Sequence, residues 1–207
     1  MPHSHKLHTD THSSADSTEA AEKLPSSIRQ IMNADEIRRA LLRISHEILE
    51  RTNGAEDTAI IGLYRGGAIM AQRIGDCIAR VEHREIFVGA IDFSPFRDDA
   101  QQNGPFPLLG PTLLPPDITG KTIILVDDVI NTGRSMRAAL STILTYGRPA
   151  RIQCATLIDR GHREMPIRAE YVGKNIPTSR QEWIVLHFTE LDGSDEALLL
   201  RREELQS

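Results

Sequence analysis

The positions of apolar and polar residues divide most of the chain into short apolar runs and longer stretches of helical period. Residues 58–63, 85–92, 121–128 and 151–159 are short runs rich in β-branched side chains, the pattern of buried strands. Amphipathic stretches lie between these runs. Strands that alternate with helices predict an α/β fold with a mostly parallel central sheet flanked by helices.

The clearest helical stretch covers residues 33–51. Asn33 or Asp35 could cap its N-terminus, and acidic residues fall in its first turn. Its apolar positions recur every three or four residues and predict one buried stripe, made of Ile37, Leu41, Ile44 and Ile48.

Two further helices and a last strand complete the pattern. One helix follows the turn at Gly66–Gly67, and another covers residues 135–147 and stops at Gly147. The pattern then weakens, and residues 182–188 are the next run that predicts a strand, near an edge of the sheet.

The first 25 residues are polar and rich in Ser, Thr and His. We expect a disordered tail there, followed by one domain from residue 26 to 207. The tail could bind a divalent metal loosely, although a solvated tail explains its composition as well. The histidines concerned are His3, His5, His8 and His12.

Composition limits the class of protein. The 207 residues are 40% hydrophobic and 26% charged, which is ordinary for a globular protein with a sizeable core. A net charge of -5 argues against indiscriminate nucleic-acid binding but leaves room for a local basic patch. Cys77 and Cys154 have no metal-type spacing, and no apolar stretch resembles a membrane span or a signal peptide. We therefore expect a reduced, cytoplasmic protein without a membrane partner.

One segment interrupts the alternation of strands and helices. Residues 93–117 carry six prolines and two glycines between two predicted strands. Such a long connection is unusual in a compact domain and is often a lid or a binding loop. We expect a long flexible lid loop here, and a surface insertion without a role is the alternative.

The stretch "LVDDVINTGRS", residues 125–135, combines two carboxylates with a polar turn. Asp127 and Asp128 are expected to end a strand at the carboxyl edge of the sheet, where ligands bind in parallel α/β folds. The turn leads into a helix, and free N–H groups at a helix N-terminus, hydroxyl donors and a glycine together suit a phosphate. The turn consists of Asn131, Thr132, Gly133, Arg134 and Ser135.

The two acids should face a different part of the ligand, because carboxylates repel phosphate. Sugar hydroxyls, with or without a bound Mg²⁺, are suitable partners, so the stretch predicts a sugar phosphate. The alternative is a strand end whose acids only cap the next helix. One Asp would suffice for that, and a buried pair costs repulsion and desolvation.

An apolar strand, two acids and "TGRS" resemble the phosphoribosyl-pyrophosphate motif of type I phosphoribosyltransferases. The stretches "ILVDDVINTGRSMRAAL", "YGRPARIQCATLIDRGHREMPIRAEYVGKNIPTS" and "EIRRALLRISHEILER" resemble the family of pyrimidine operon attenuation regulators, which are also uracil phosphoribosyltransferases. The resemblance spans residues 34–196 and implies a type I phosphoribosyltransferase-like fold. The phosphoribosyl motif alone supports only the broader superfamily.

The resemblance implies a role for each motif residue. Asp127 and Asp128 would hold the ribose hydroxyls of phosphoribosyl pyrophosphate, and residues 131–135 would bind its 5′-phosphate. The segment "YRGG" stands where the family usually has "TRG", and it matches the pyrophosphate loop with Arg65, Gly66 and Gly67.

Two more arginines receive roles from the resemblance. Arg97, on the long loop, could contact pyrophosphate when the loop closes. Arg160, after the strand at 151–159, matches the substrate side near the base. An ion pair with Asp159 or Glu164 is the alternative for Arg160.

The resemblance also implies a reaction. Uracil would displace pyrophosphate from C1 of the ribose to give UMP, with Mg²⁺ on the pyrophosphate, in a dimer or higher homo-oligomer. No general base is obvious in the sequence. A phosphoribosyltransferase for another base, such as a purine, is the alternative, although Asn131 stands where some purine enzymes of the superfamily carry an acid.

A regulatory activity is implied as well: binding to the leader mRNA of pyrimidine biosynthetic genes, with nucleotides as signals. The basic RNA-facing helix of the family is matched by Arg39, Arg43, His46 and Arg51, although an ordinary surface helix carries similar charges. Leu42 replaces a Thr usual in that helix, which weakens the case for RNA attenuation more than for catalysis. An RNA-binding regulator with little catalysis is therefore a further alternative.

Overall fold

The structure, a computed structural model, describes residues 28–99 and 107–201. The predicted tail, with its histidines, and part of the long loop lie outside these residues. The described residues form a short 3₁₀ helix (Ser94–Phe96), four α-helices and eight strands. The helices are α1 (Ala34–Thr52), α2 (Gly66–Glu82), α3 (Arg134–Ile143) and α4 (Thr189–Asp192). The strands are β1 (Arg29–Asn33), β2 (Thr58–Leu63), β3 (Phe87–Ile91), β4 (Thr122–Ile130), β5 (Arg151–Asp159), β6 (Tyr171–Asn175), β7 (Glu182–His187) and β8 (Glu196–Arg201).

A five-stranded sheet in the order β3-β2-β4-β5-β6 forms the centre of the fold, and every neighbouring pair is parallel. Side chains alternate between its two faces. Ile60 and Ile124 share a core with α1 and α2, whereas Ile61 and Leu125 pack on the other face with α3. Burial of each such side chain stabilises the fold by about 1.5–3 kcal/mol, so a slip of one residue in register would be costly. The predicted α/β class is confirmed.

Helix α1 begins as predicted. Of the two candidate caps, Asn33 is the N-cap: its Oδ1 accepts from the Glu36 N–H at 2.9 Å, and the Glu36 carboxylate accepts from the Asn33 N–H at 2.9 Å. The predicted apolar stripe is buried. Within residues 28–99 and 107–201, no helix is long and apolar enough to cross a membrane.

A second, antiparallel sheet in the order β1-β8-β7 was not predicted. The strand expected at 182–188 is an edge strand of this sheet rather than of the parallel one. Arg160 Nη2 donates to the Glu182 carbonyl at 2.7 Å, and Lys174 Nζ donates to the Ile31 carbonyl at 2.8 Å. Because these two donors lie just after β5 and on β6, the second sheet is held beside the carboxyl ends of the parallel strands.

Two predicted boundaries are wrong. Strand β4 continues past Asp127 and Asp128 to Ile130, because β5 is long enough to pair with it as far as Asp159. The two acids therefore lie inside the strand, shortly before its last residue, instead of ending it. Helix α3 ends at Ile143, well before Gly147, because the following residues form tighter i to i+3 turns.

Candidate active site

The carboxyl edge of the parallel sheet brings the predicted phosphate and ribose residues together. The first residues of α2 lie directly against the second half of β4. A Cβ on Gly66 would overlap the Asp128 carboxylate, and a Cβ on Gly67 would overlap the Val126 carbonyl oxygen. Only glycine permits this approach. Arg65 precedes them after a cis peptide bond with Tyr64, and its exposed side chain makes no hydrogen bond or ion pair within the described ranges.

Asp127 and Asp128 are unusual carboxylates. Asp127 Oδ1 accepts from the Asp128 N–H at 3.0 Å, and Asp128 Oδ1 accepts from the Val129 N–H at 2.7 Å. Burial and repulsion from Asp128 raise the pKa of Asp127 well above its ordinary value, and burial also raises the pKa of Asp128. Neither carboxylate pairs with a cationic side chain among residues 28–99 and 107–201. The site therefore favours a ligand that brings positive charge or hydroxyl donors.

The residues after β4 form a small cup at the N-terminus of α3. Gly133 has φ 87°, a left-handed conformation that turns the chain into the helix. The Arg134 N–H donates to Thr132 Oγ1 at 3.3 Å. The cup has a volume of about 60 Å³, roughly twice the space of one water in the liquid. Asn131 Oδ1 is buried there without a hydrogen-bond partner in the described chain, so the cup offers an unsatisfied acceptor beside helix N–H groups.

A segment after β5 supports the outside of the cup. The Glu164 and Met165 N–H groups donate to the Thr132 carbonyl at 2.9 and 3.0 Å. Arg163 Nη1 donates to the Asn131 carbonyl at 2.6 Å, and Arg163 Nη2 bonds to the Asp159 carboxylate at 2.5 Å. Sequence reasoning assigned no role to Arg163, which supports the cup through these contacts. It stands in "DRGHRE", which was recognised only as a family segment.

Arg160 is buried, and its ion-pair alternative is wrong, because Asp159 pairs with Arg163 and Glu164 pairs with Arg134. Its guanidinium instead donates from Nε to Thr178 Oγ1 at 3.1 Å and from Nη2 to a carbonyl of β7. Burial lowers the pKa of Arg160. These contacts hold the side chain between the two sheets.

The first part of the long loop lies across the cup. A cavity of about 200 Å³ is lined on one side by residues 97–99 and on the other by Thr132, Arg134 and Ser135. Arg97 forms two hydrogen bonds with Asp99, at 2.7 and 3.0 Å, and this partner raises the pKa of Arg97. The loop arginine is thus placed beside the phosphate cup.

The donor set of the site suits a magnesium ion that is shared with a phosphate ligand. No group of three or more His, Cys, Asp or Glu able to hold a metal occurs in the described part of the chain. Mg²⁺ commonly uses only one or two carboxylates, with water and substrate phosphates as its other ligands. Asp127 and Asp128, which lack a cationic partner in the described ranges, fit that requirement.

The residues predicted to face RNA are all exposed on α1: Arg39, Arg43, His46 and Arg51. Arg43 also donates to the carbonyls of Val172 and Gly173, at 3.0 and 2.7 Å, and Arg51 lies over the Tyr171 ring at 5.1 Å. Leu42 is 39% exposed, as its position between the basic face and the buried stripe predicted. Part of the basic face therefore packs against β6.

Comparison with known proteins agrees with this arrangement. A family model described as phosphoribosyl transferase domain matches residues 27–189. The "Bifunctional protein PyrR" of Chloroflexus aurantiacus is 54% identical over 173 residues, which cover 84% of this chain and 95% of that protein. The protein of the same name from Thermus thermophilus is 49% identical over 174 residues, with 84% and 96% covered.

Solved structures share the fold at low sequence identity. A hypoxanthine-guanine phosphoribosyltransferase from Bacillus anthracis superposes with a TM-score of 0.64 at 21% identity, covering 83% of this chain and 97% of that one. A hypoxanthine phosphoribosyl transferase from Trypanosoma cruzi gives 0.67 at 18%, with 89% and 97% covered. The fold is that of the type I phosphoribosyltransferases. This chain therefore belongs to the phosphoribosyltransferase family and, within that family, to the bifunctional PyrR proteins.

Proposed function

We propose that this protein transfers a phosphoribosyl group from phosphoribosyl pyrophosphate to uracil, giving UMP and pyrophosphate. The observation that carries the proposal is the pair of carboxylates, Asp127 and Asp128, beside a small cup at the N-terminus of α3 and without a cationic partner in the described chain. A ribose that carries a 5′-phosphate supplies hydroxyl donors for the acids and an anion for the cup. The similarity to bifunctional PyrR proteins supports the same reading.

In this mechanism the chain mainly binds and orients. The N–H groups at the start of α3 hold the 5′-phosphate, and Arg65 contacts the pyrophosphate from the β2–α2 turn. The bond between C1 and pyrophosphate breaks, and its electron pair leaves with pyrophosphate. N1 of uracil forms the new bond to C1, and its proton passes to the released pyrophosphate or to water. Asp127 and Asp128, once ionised against the ribose, stabilise the positive charge that develops on the sugar ring. Positioning and electrostatics supply most of the rate.

Mg²⁺ bound with phosphoribosyl pyrophosphate would neutralise the leaving group, with Asp127 and Asp128 as the residues able to hold it or the ribose hydroxyls. Residues 97–99, which line a cavity together with Thr132 and Ser135, would cover the reacting atoms and exclude water, which otherwise hydrolyses the activated sugar. Arg97 would then contact the pyrophosphate.

An assay of UMP formation tests the enzymatic proposal. Protein is incubated with phosphoribosyl pyrophosphate, Mg²⁺ and a panel of bases. We expect UMP from uracil, little product from hypoxanthine or guanine, and a loss of about 100-fold for Asp128→Asn. Asp117→Asn is the matched control, because that exposed carboxylate accepts hydrogen bonds from the nearby Thr119 and lies outside the candidate site. The absence of UMP, or equal rates for wild type and Asp128→Asn, would contradict the proposal.

We also propose that the exposed basic face of α1 binds leader mRNA of pyrimidine biosynthetic genes. Arg39, Arg43 and Lys174 line an open groove of about 450 Å³ between α1 and β6. His46 is exposed and makes no hydrogen bond or ion pair with the described residues. Cations along an open surface favour contact with a phosphate backbone.

RNA affinity should fall about three- to tenfold in Arg39→Ala and in His46→Ala, since each loses one contact. These residues are better targets than Arg43, whose substitution also removes its bonds to β6. Arg84→Ala is the control, because it removes an exposed arginine whose one ion-pair partner among the described residues is Glu56. Unchanged affinity for a leader hairpin in both variants would show that this face does not bind RNA.

Assembly as a dimer or larger homo-oligomer in the cytoplasm remains a prediction from the family. Sedimentation velocity over a range of protein concentrations would measure the assembly, and a single monomeric species would contradict it.

A further inference from the structure

We propose that Trp183 forms the stacking surface for the pyrimidine ring of uracil and UMP. This inference deepens the proposed function and rests on it. Trp183 is the single tryptophan of the chain, lies on β7 and is 55% exposed. The next residue, Ile184, is buried in the core, so the indole projects from the opposite face of the second sheet.

Arg160 connects this indole to the phosphate cup. The Arg160 N–H donates to the Ile130 carbonyl at 3.1 Å, one residue before the cup begins. The guanidinium carbon of the same residue lies 5.5 Å from the centre of the Trp183 ring. A single arginine side chain therefore spans the distance between the start of the cup and the indole.

The indole is held in place from one side. Arg160 is buried, and its bonds to Thr178 and to the Glu182 carbonyl fix the guanidinium beneath the ring. A cation at this distance is attracted to the aromatic face and restricts its movement. No other ring or cation stacks on Trp183 among the described residues. A large aromatic surface thus stays open beside the predicted base site.

The chemistry of this surface fits a planar base. Aromatic side chains stack on any nucleobase, because each base has an aromatic face. Trp183 therefore contributes affinity for the ring, whereas selection of uracil over other bases requires hydrogen-bonding groups. A second copy of the chain could also cover an exposed tryptophan, so the test must separate the two occupants.

The fluorescence of the full-length protein reports this site directly, because the chain has one tryptophan. We expect UMP to change the emission on excitation at the red edge of the tryptophan band, and ribose 5-phosphate, which lacks the base, to leave it unchanged. Trp183→Leu should weaken UMP binding by about tenfold and leave ribose 5-phosphate binding unchanged. Trp183→Phe, which keeps an aromatic ring, should retain most of the affinity. Calorimetry measures binding to the non-fluorescent variants.

Tyr146→Leu is the matched control. Tyr146 is 56% exposed, about as much as Trp183, but it follows α3, and its neighbour Gly147 lies beside Ile118, which precedes β4 at the opposite edge of the sheet. This variant should bind UMP like wild type.

Equal UMP affinity in wild type and Trp183→Leu would overturn the inference, and so would emission that depends on protein concentration and not on UMP. If wild type makes UMP while Trp183→Leu keeps a normal KM for uracil, the inference fails and the proposed function stands. If wild type makes no UMP, the proposed function itself fails.

Discussion

Arg134 Nη1 lies 2.5 Å from Oδ2 of Asp98, which joins the first turn of α3 to the long loop. Arg134 Nε also bonds to Glu164 at 2.7 Å, and Arg137 lies 3.8 Å from Asp98. The cation nearest the phosphate cup is therefore already shared between two carboxylates. A phosphate that enters the cup has to compete with Asp98 for this arginine.

Asp98→Asn should consequently tighten the binding of ribose 5-phosphate. The pair is partly exposed, and exposed ion pairs are weak, so the gain in affinity should not exceed about fivefold. Calorimetry would measure the affinity. In an Arg134→Gln background the same substitution should have no effect, because the competing pair is already absent. If Asp98→Asn still tightens binding in the Arg134→Gln background, Asp98 acts by repelling the phosphate and not by competing for Arg134.

Asp127→Asn should stabilise the ligand-free protein at neutral and alkaline pH. Because the fold raises the pKa of Asp127, the ionised carboxylate destabilises the folded state as the pH rises from about 4 through the raised value. At pH 8 we expect the substitution to raise the free energy of unfolding by roughly 1 kcal/mol. The gain is limited because water screens part of this half-buried site. Urea unfolding at several pH values would show the gain shrinking toward pH 4. Equal stability of the two proteins at every pH would contradict the raised pKa.

Gly66→Ala should damage catalysis more than folding. The added Cβ would lie 2.8 Å from Asp128 Cγ, so the carboxylate has to move away from the ribose site. Displacement of a binding group by about 1 Å can reduce the rate by roughly 100-fold. Steady-state kinetics should show this loss while circular dichroism and the melting temperature change little. Wild-type kinetics in the variant would mean that Asp128 is free to shift.

Arg73→Met should destabilise the protein by about 2–4 kcal/mol, because it leaves Asp195 half-buried without its cation. Arg73 bonds to Glu190 and Asp195 and packs over Phe188, so it ties α2 to the chain around the second sheet. Arg73 also lowers the pKa of Asp195, so the difference from wild type should fade as the pH drops through that lowered value. Urea unfolding would measure both effects.

Arg84→Ala is the control for that experiment. Its ion pair with Glu56 is exposed and 3.4 Å long, and its loss should cost less than about 0.5 kcal/mol. Similar losses of unfolding free energy in Arg73→Met and Arg84→Ala would contradict the larger contribution expected from the ion pairs of Arg73.

The apolar pattern of the sequence was sufficient to predict four of the five strands of the central sheet. β2 and β5 have the predicted bounds, because their long buried stretches require a continuous apolar run. α1 also followed from the sequence, since its cap and its stripe are local features. Three strands could not be predicted in this way. β1 and β8 are stabilised by pairing with each other across nearly the whole chain, and β6 is a short edge strand.

The residue types of the active site were also readable from the sequence: two acids, a polar turn before a helix, and a pair of glycines. Their proximity could not be predicted from the sequence, because it depends on how β2 and β4 align. Tertiary structure alone decided which charges pair. Glu164 pairs with Arg134, Asp159 pairs with Arg163, and Arg160 is left to bridge the two sheets. The sequence by itself determined which chemical groups are available, whereas packing of distant segments determined which of them meet, since pairing energy depends on distance and burial.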